Sequence, residues 1–173
     1  MVRAGGGDRD AWHALYDRHR SFVFATALRF LGDEAAARDT SQDVFVSLFS
    51  HAKAYRPTAS FSSYLRRITV NRCLNERASA RNRRRQEGPE PELEAIVSGD
   101  LDPHALLERR EIELAVRAAI AALPDRQRMA VILSRFEGLS YEEIALALDC
   151  SVSSVESLLF RARQKLASAL TGT

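Results

Sequence analysis

The fold is decided by residues 123–166, LPDRQRMAVILSRFEGLSYEEIALALDCSVSSVESLLFRARQKL. Two amphipathic helical patterns, over 140–148 and 152–170, flank a short connection at 149–151. A connection of about three to four residues sets two helices at a steep angle, which is typical of a helix-turn-helix. The stretch therefore predicts a DNA-reading helix pair with a supporting helix in front of it.

Local signals mark the ends of these helices. Pro124 suits a first helical turn, and Gly138 suits a left-handed cap after a helix that we expect to end at Glu137. Ser140 and Glu143 have the spacing of a capping box. The next helix has a short apolar face that is expected to pack on the last one, pairing Ile144, Ala145 and Leu148 with Val155, Leu159 and Ala162.

The last helix carries two groups of candidate DNA-binding residues. The first turns of a recognition helix reach base edges, and later basic residues hold phosphates. The candidate base readers are Ser153, Ser154, Glu156 and Ser157, and the candidate phosphate binders are Arg161, Arg163 and Lys165. Two alternatives stay open. The first is that Glu156 forms a capping box with Ser153 instead of reading a base. The second is that Arg163 and Lys165 only complement the dipole at a solvated helix end.

The first half of the chain also reads as helices. One long pattern ends at Gly32, and Asp33 is a good N-cap for a second helix. After a loop over 50–60, a third helix begins with a packed face and ends in a basic cluster, Arg77 to Arg85. The apolar stripe of the second helix contains Ala37, Val44, Phe45, Leu48 and Phe49; the packed face of the third contains Phe61, Leu65 and Ile68.

A change of composition divides the chain. Gly88, Pro89 and Pro91 break the third helix within an acidic segment, and a new helical run starts near Pro103. Its apolar positions are expected to include Leu107, Leu114, Ile120 and Leu123. We predict an all-α protein of two small helical domains, 8–86 and 105–170, joined by an acidic flexible linker over 87–104. The second is a helix-turn-helix domain, winged-helix-like but without a wing.

Composition excludes several other classes. The net charge is +2, from 25 Lys and Arg against 23 Asp and Glu, so the distribution of charge matters more than its sum. Two cysteines and four histidines show no metal-ligand spacing, and no catalytic arrangement or phosphate-binding glycine loop is present. We expect no cofactor, no metal and no enzymatic activity. No signal peptide or membrane-spanning run is apparent, so we expect a cytoplasmic protein.

Both halves resemble the small two-domain bacterial sigma factors of the extracytoplasmic-function class. The resemblance rests on ALPDRQRMAVILSRFEGLSYEEIALALDCSVSSVESLLFRARQKL in the second half. In the first half it rests on ALRFLGDEAAARDTSQDVFVSLF and FSSYLRRITVNRCLNERASARNRRR. It implies that the first domain melts the minus-ten element of a promoter and that the second reads the minus-thirty-five element.

The resemblance also implies a polymerase-docking site on the second helix. In the family this helix binds the clamp helices of the largest subunit of core RNA polymerase. The matching residues are Asp39, Gln42, Asp43 and Phe45. Thr40 and Ser41 replace the usual aliphatic pair. Without the resemblance, the two aspartates would read as a solvated acidic face.

A single-strand site follows from the same resemblance. The loop corresponds to the segment that captures a flipped base, and capture must offset an extrusion cost of a few kcal/mol. The implied residues are Tyr55, Arg56, Thr58, Ser60, Tyr64, Arg67 and Asn71, with Tyr64 in place of a common tryptophan. Asn71 suits a base edge, but helix capping or a buried-amide role stays open.

The basic end of the third helix is the remaining candidate DNA contact. Arg77, Arg81 and Arg84 would follow duplex phosphates, although a solvated arginine run is the plain alternative. The family is usually inhibited by an anti-sigma factor, often membrane-bound. A competing hypothesis is a stand-alone helix-turn-helix regulator with an N-terminal sensing or dimerisation bundle. Such a regulator would bind DNA tightly and specifically without polymerase.

Overall fold

The computed structural model describes residues 6–52, 60–87 and 103–171, and every regular element in these ranges is an α-helix. The helices are α1 (Arg9–Leu31), α2 (Glu34–Ser50), α3 (Phe61–Glu87), α4 (Pro103–Ala121), α5 (Asp125–Arg135), α6 (Tyr141–Leu148) and α7 (Val152–Thr171). The all-α prediction is confirmed. Residues 88–102 of the predicted linker lie outside the described residues.

Capping side chains set the starts of the helices in the first half. The Asp8 carboxylate accepts a hydrogen bond from the Ala11 amide at 3.0 Å. Asp33 accepts one from the Ala36 amide at 2.7 Å, directly after Gly32 has ended α1 in a left-handed conformation with φ 79°. An N-cap of this kind stabilises a helix by about 1 kcal/mol. The caps therefore fix the tight corner between α1 and α2.

The first half packs as three helices. α1 lies against α2 and α3, and Val23, Val44, Leu48 and Leu65 form a fully buried cluster between them. Aromatic side chains from α1, α2 and α3 pack around this cluster. Phe49 was expected on the packed stripe of α2, and that expectation is wrong, because Phe49 is 65% exposed. It lies at the edge of the stripe, where α1 covers only one side of its ring.

The second half packs around α5. This short helix is buried on nearly every side by α6, α7 and α1, and Met129, Ile132 and Leu133 have almost no exposed surface. α5 ends at Arg135, two residues before the predicted end, and Gly138 then takes φ 65° as expected. Leu114 of α4 was expected to be packed but is 53% exposed, so that part of the predicted apolar face is wrong.

The two halves share a hydrophobic core. A single cluster of buried residues contains Phe30, Val70 and Cys73 from the first half together with Leu133 and Ile144 from the second. α1 contacts α5, and α3 contacts both α5 and α6. The two predicted bundles are therefore packed against each other rather than lying apart on a linker.

Candidate nucleic-acid interface

The turn between α6 and α7 has the geometry of a helix-turn-helix. α6 begins with the expected capping box, in which the Glu143 amide donates to the Ser140 hydroxyl at 3.3 Å and the Ser140 amide donates to the Glu143 carboxylate at 3.0 Å. It ends at Asp149, which has φ 51°. Asp is one of the few non-glycine residues that adopts this left-handed conformation, so the turn needs no glycine. The predicted capping box and turn are confirmed.

The start of α7 decides between the two roles left open for Glu156. The cap of this helix is the Ser151 hydroxyl, which accepts a hydrogen bond from the Ser154 amide at 3.2 Å. Ser153 instead bonds the Ser151 hydroxyl at 3.0 Å. The proposed Ser153–Glu156 capping box is therefore wrong, because the helix starts two residues earlier than that box requires. Glu156 is exposed.

One side of α7 is buried in the core, and the rest of the helix is exposed. Val155, Leu159 and Ala162 are buried in the shared core. All seven candidate DNA-binding residues of this helix are exposed: Ser153, Ser154, Glu156, Ser157, Arg161, Arg163 and Lys165. Phe160 is also 59% exposed on this helix. The sequence analysis did not single it out, although a large apolar side chain beside Arg161 was a visible signal.

The docking residues predicted on α2 lie on its outer surface. Asp39, Gln42 and Asp43 are exposed. The Asp43 carboxylate lies 3.9 Å from the Arg72 guanidinium of α3. Phe45 is partly buried and its ring meets the Tyr16 ring edge-on, with centroids 4.7 Å apart. Asp39, Gln42 and Asp43 therefore lie on the exposed face of α2, whereas Phe45 packs toward α1.

Two apolar side chains extend that surface. Val46 and Phe49 are both exposed, and they follow Gln42 and Asp43 along the same helix face. The Phe49 ring lies against Trp12 of α1, with centroids 5.3 Å apart. We call Asp39, Gln42, Asp43, Val46 and Phe49 the α2 surface. Its apolar end was missed because the sequence analysis assigned Phe49 to the core.

The structure describes some, but not all, of the residues predicted to bind single-stranded DNA. Tyr55, Arg56 and Thr58 lie outside the described residues. The Ser60 hydroxyl caps α3 by accepting a hydrogen bond from the Ser63 amide at 3.1 Å. The remaining three project from the first turns of α3: Tyr64 is half-buried, Arg67 and Asn71 are exposed. Exposure argues against a buried-amide role for Asn71.

The basic end of α3 faces the second half of the chain. The Arg77 guanidinium lies 3.1 Å from the Asp125 carboxylate at the start of α5, and Arg81 contacts the same carboxylate. Arg83 pairs with Glu76 at 2.7 Å within α3. The side chain of Arg84 lies outside the described residues. Two of the three arginines predicted to follow duplex phosphates from the basic end of α3 are thus bound to a carboxylate of the same chain.

A buried arginine joins the two halves nearby. Arg128 is 2% exposed and donates through Nη1 to the Phe30 carbonyl oxygen at 2.9 Å, and through Nε to the Ile120 carbonyl oxygen at 3.1 Å. Burial lowers the pKa of Arg128 to about 10, helped by the nearby charge of Arg77. The guanidinium therefore remains charged at neutral pH and caps the last turns of α1 and α4.

The cysteines and histidines form no reactive site in the part of the chain that the structure describes. Burial raises the pKa of the Cys73 thiol to about 12, so it is protonated at neutral pH. Burial, with the charges of Arg18 and Arg66, lowers the pKa of His19. No group of three metal-binding side chains occurs among the described residues. No described helix is long and apolar enough to cross a membrane.

Comparisons with known proteins match both halves. Residues 15–84 match the family model for sigma-70 region 2, and residues 113–166 match the model for sigma-70 region 4. The chain is 31% identical to RNA polymerase sigma-H factor of Pseudomonas aeruginosa, over 98% of this chain and 91% of that protein. It is also 31% identical to the ECF RNA polymerase sigma-E factor of Escherichia coli K12, over 96% and 90%.

A solved structure extends the likeness to three dimensions. The chain is similar to CnrH, in a structure of CnrH in complex with the cytosolic domain of CnrY. The TM-score is 0.69 at 26% identity, covering 98% of this chain and 94% of that chain. The arrangement of helices described above is therefore one that a related chain adopts.

Proposed function

The chain belongs to the extracytoplasmic-function class of sigma-70 RNA polymerase sigma factors, which direct core polymerase to promoters, and we propose which of its surfaces perform each step. α7 reads the minus-thirty-five duplex. The loop before α3 and the first turns of α3 capture the minus-ten single strand. The α2 surface docks on the polymerase clamp helices. We assign 8–86 and 105–170 to the two promoter-binding domains and 87–104 to the linker.

The observation that carries the proposal is the exposed first half of α7. With Ser151 as the cap, Ser153, Glu156 and Ser157 are available to base edges. Glu156 accepts a hydrogen bond from a cytosine amino group, and a good base contact discriminates by about 1–3 kcal/mol. Phe160 adds an apolar contact of the kind that thymine methyl groups favour. Arg161, Arg163 and Lys165 then hold phosphates along the same groove.

Single-strand capture is assigned to the loop before α3 and to the first turns of that helix. Arg67 and Asn71 lie one turn apart on α3 and are exposed, while Tyr64 offers a half-buried ring at the start of the same helix. A flipped base needs a stacking surface and a polar edge to bind. We propose that these three act with Tyr55, Arg56, Thr58 and Ser60, and that Arg77, Arg81 and Arg84 follow the adjoining duplex.

The α2 surface combines acid and apolar groups, which suits a protein partner. Asp39, Gln42 and Asp43 supply charge and hydrogen bonds, with Phe45 beneath them. Val46 and Phe49 supply apolar area beside them. Aromatic side chains at the centre of an interface contribute most of its energy. We propose that the clamp helices cover this surface and that an anti-sigma factor competes for it. The similar chain CnrH forms a complex with the cytosolic domain of CnrY.

We further propose that the chain acts in the cytoplasm, without a cofactor or turnover of its own. Its proposed role is to recruit core polymerase to a promoter and to support promoter opening there. The alternative, a stand-alone regulator with a sensing or dimerisation bundle, is disfavoured because the first half matches sigma-70 region 2 and the second half matches region 4.

Run-off transcription with core polymerase and a pool of genomic promoter fragments tests the proposal. The wild-type chain should yield promoter-specific transcripts, and Asp43→Arg should reduce them at least about tenfold, since a reversed charge at an interface costs several kcal/mol. Glu113→Arg, an equal charge change at an exposed residue of α4, is the matched control. Absence of specific transcripts with wild type would refute the function. Full activity of Asp43→Arg would refute the docking assignment alone.

A further inference from the structure

The end of α6 carries backbone carbonyl groups that the helix itself does not bond. The last four carbonyl groups of an α-helix have no intrahelical partner. The Ala145 carbonyl oxygen accepts hydrogen bonds from the amides of Asp149 and Cys150, the second at 3.0 Å. The Leu148 carbonyl oxygen accepts instead from Nη2 of Arg126 at 2.8 Å. An arginine of α5 therefore holds the peptide group from which the turn departs.

α5 is a rigid base for this bond. Its residues Arg128, Met129 and Ile132 are buried, and the helix contacts both α6 and α7. Arg126 lies in the first turn of α5 and reaches from there to the end of α6. The bond therefore ties the helix-turn-helix to the helix that is most deeply buried in the second half.

The charge of Arg126 is directed at the end of a helix. The adjacent acid, Asp125, pairs with Arg77 and Arg81 of α3. Arg126 instead faces the carbonyl end of α6, where the helix dipole favours a cation. A hydrogen bond from a charged donor is stronger than one between neutral groups. The contact is therefore suited to fix the geometry of the turn.

The turn transmits that geometry to α7 over a very short distance. Only Asp149 and Cys150 separate the Leu148 peptide from Ser151, whose hydroxyl caps α7. Asp149 has φ 51°, a left-handed conformation that a non-glycine residue keeps only where its surroundings hold it. The direction in which α7 leaves the turn therefore depends on how firmly the end of α6 is held.

We propose that Arg126 is a positioning residue for promoter specificity, because its bond to the Leu148 carbonyl sets the direction of α7 and hence the fit of its first turns to base edges. The inference rests on the proposed function, which places α7 in the duplex groove. Hydrogen bonds weaken steeply when their angle or distance changes, whereas the attraction between a guanidinium and a phosphate falls off slowly with distance. A tilt of α7 should therefore reduce base discrimination more than it reduces overall affinity.

The test measures binding by core polymerase loaded with the full chain. The DNA is a promoter fragment that yields run-off transcripts, together with copies that carry single-base substitutions in the minus-thirty-five element. The ratio of the two affinities gives base discrimination, and the slope of log affinity against log salt reports phosphate contacts. The test variant is Arg126→Gln, and Arg126→Lys is the conservative variant that keeps a charged donor. Arg135→Gln, the same change at an exposed residue at the other end of α5, is the matched control.

The expected result is a selective loss of discrimination. Wild type and Arg135→Gln should distinguish the best-read base by about tenfold. In Arg126→Gln this ratio should fall by at least about threefold while the salt slope is unchanged, and Arg126→Lys should restore most of it. An unchanged ratio in Arg126→Gln would overturn the proposal. Equal weakening on every fragment, with the slope reduced by about 1, would also overturn it, since that pattern marks a phosphate contact.

Two further measurements separate positioning from a general loss of fold. The nitrogen resonance of the Asp149 amide responds to a hydrogen bond at the preceding carbonyl, so it should move in Arg126→Gln and stay in place in Arg135→Gln. Loaded polymerase should bind a fragment that has only the single-stranded minus-ten element equally well with every variant, because that fragment does not engage α7. Weaker binding of this fragment by Arg126→Gln would show a general structural role and refute positioning. Wild-type run-off transcription would still stand, so this failure is distinguishable from failure of the proposed function.

Discussion

The two basic surfaces of this chain contain the same kinds of residue in very different states. On α3, Arg66, Arg77 and Arg81 are bound to carboxylates of the second half. On α7, Arg161 and Lys165 are exposed, and neither is in a salt bridge with another described residue. Composition predicts a phosphate-binding role for both surfaces. In this arrangement Arg161 and Lys165 of α7 are available to phosphates, whereas those three arginines of α3 are already paired with carboxylates.

The carboxylates that pair with the α3 arginines lie at the starts of helices. Asp125 lies in the first turn of α5 and Glu143 in the first turn of α6. Acidic residues are favoured there by the helix dipole, so each carboxylate stabilises the helix in whose first turn it lies. The arginines of α3 then meet acids that already stabilise helix ends. One side chain therefore serves both the fold of the second half and its contact with the first.

The largest expected effect tests whether the halves share one core. Phe30→Ala should lower the free energy of unfolding by about 3–5 kcal/mol, because it leaves a cavity where α1 meets α5. Phe160→Ala, at an exposed ring, should change it by less than about 1 kcal/mol. Denaturant titration followed by circular dichroism measures both. Equal losses in the two variants would mean that Phe30 is not part of a shared core.

A smaller effect is expected on duplex-DNA affinity, which compares the basic surfaces of α3 and α7. In the free chain, Arg161→Ala should weaken duplex binding several-fold and reduce the slope of log affinity against log salt by about 1. Arg77→Ala should leave both quantities unchanged, because Asp125 already holds that guanidinium. Fluorescence anisotropy with labelled duplex gives both values. Equal weakening by the two substitutions would show that Arg77 and Arg161 contribute equally to duplex binding in the free chain.

The smallest effect concerns pH and Glu143. Its pKa lies below the ordinary value of 4.5, chiefly because the Ser140 amide, and then Arg66, donate hydrogen bonds to the carboxylate. A carboxylate whose pKa is lower in the folded state than in the unfolded state stabilises the fold at pH values above its unfolded-state pKa. This stabilisation is lost as the pH falls through the folded-state pKa. On acidification below pH 4.5, the Tm of the wild type should therefore fall more steeply than that of Glu143→Gln.

The matched control for that pH series is Glu113→Gln, at an exposed residue of α4. Its Tm should follow the wild type throughout the acid range. Parallel curves for Glu143→Gln and the wild type would show that the carboxylate contributes nothing through its charge.

Much of the second half could be predicted from the sequence because its signals are local. The capping box at Ser140, the left-handed Gly138 and the packing of Val155 each depend on neighbours within a few residues. The start of α7 at Val152 was also predicted correctly, and only the role of Glu156 in its first turns was left open. Ser151 and Ser153 are both good caps, and spacing alone does not decide between two serines so close together.

What could not be predicted depends on distant partners. An apolar stripe does not say which of its members meets another helix, so Phe49 and Leu114 were placed in the core although both are exposed. The contacts of Arg77 and Arg81 with Asp125 join residues far apart in the chain, and no periodicity encodes them. The polar residues of the α2 surface were predicted from the resemblance. Its apolar residues, Val46 and Phe49, were missed because the sequence does not show which members of an apolar stripe are exposed.

We infer that this chain reads a promoter as part of RNA polymerase. Equilibrium binding to a promoter fragment, measured with and without core polymerase, tests this inference. Promoter-specific binding should appear only with core polymerase. The free chain should bind weakly and without sequence preference, through α7. Tight, promoter-specific binding by the free chain, unchanged when core polymerase is added, would contradict the account and favour a stand-alone regulator.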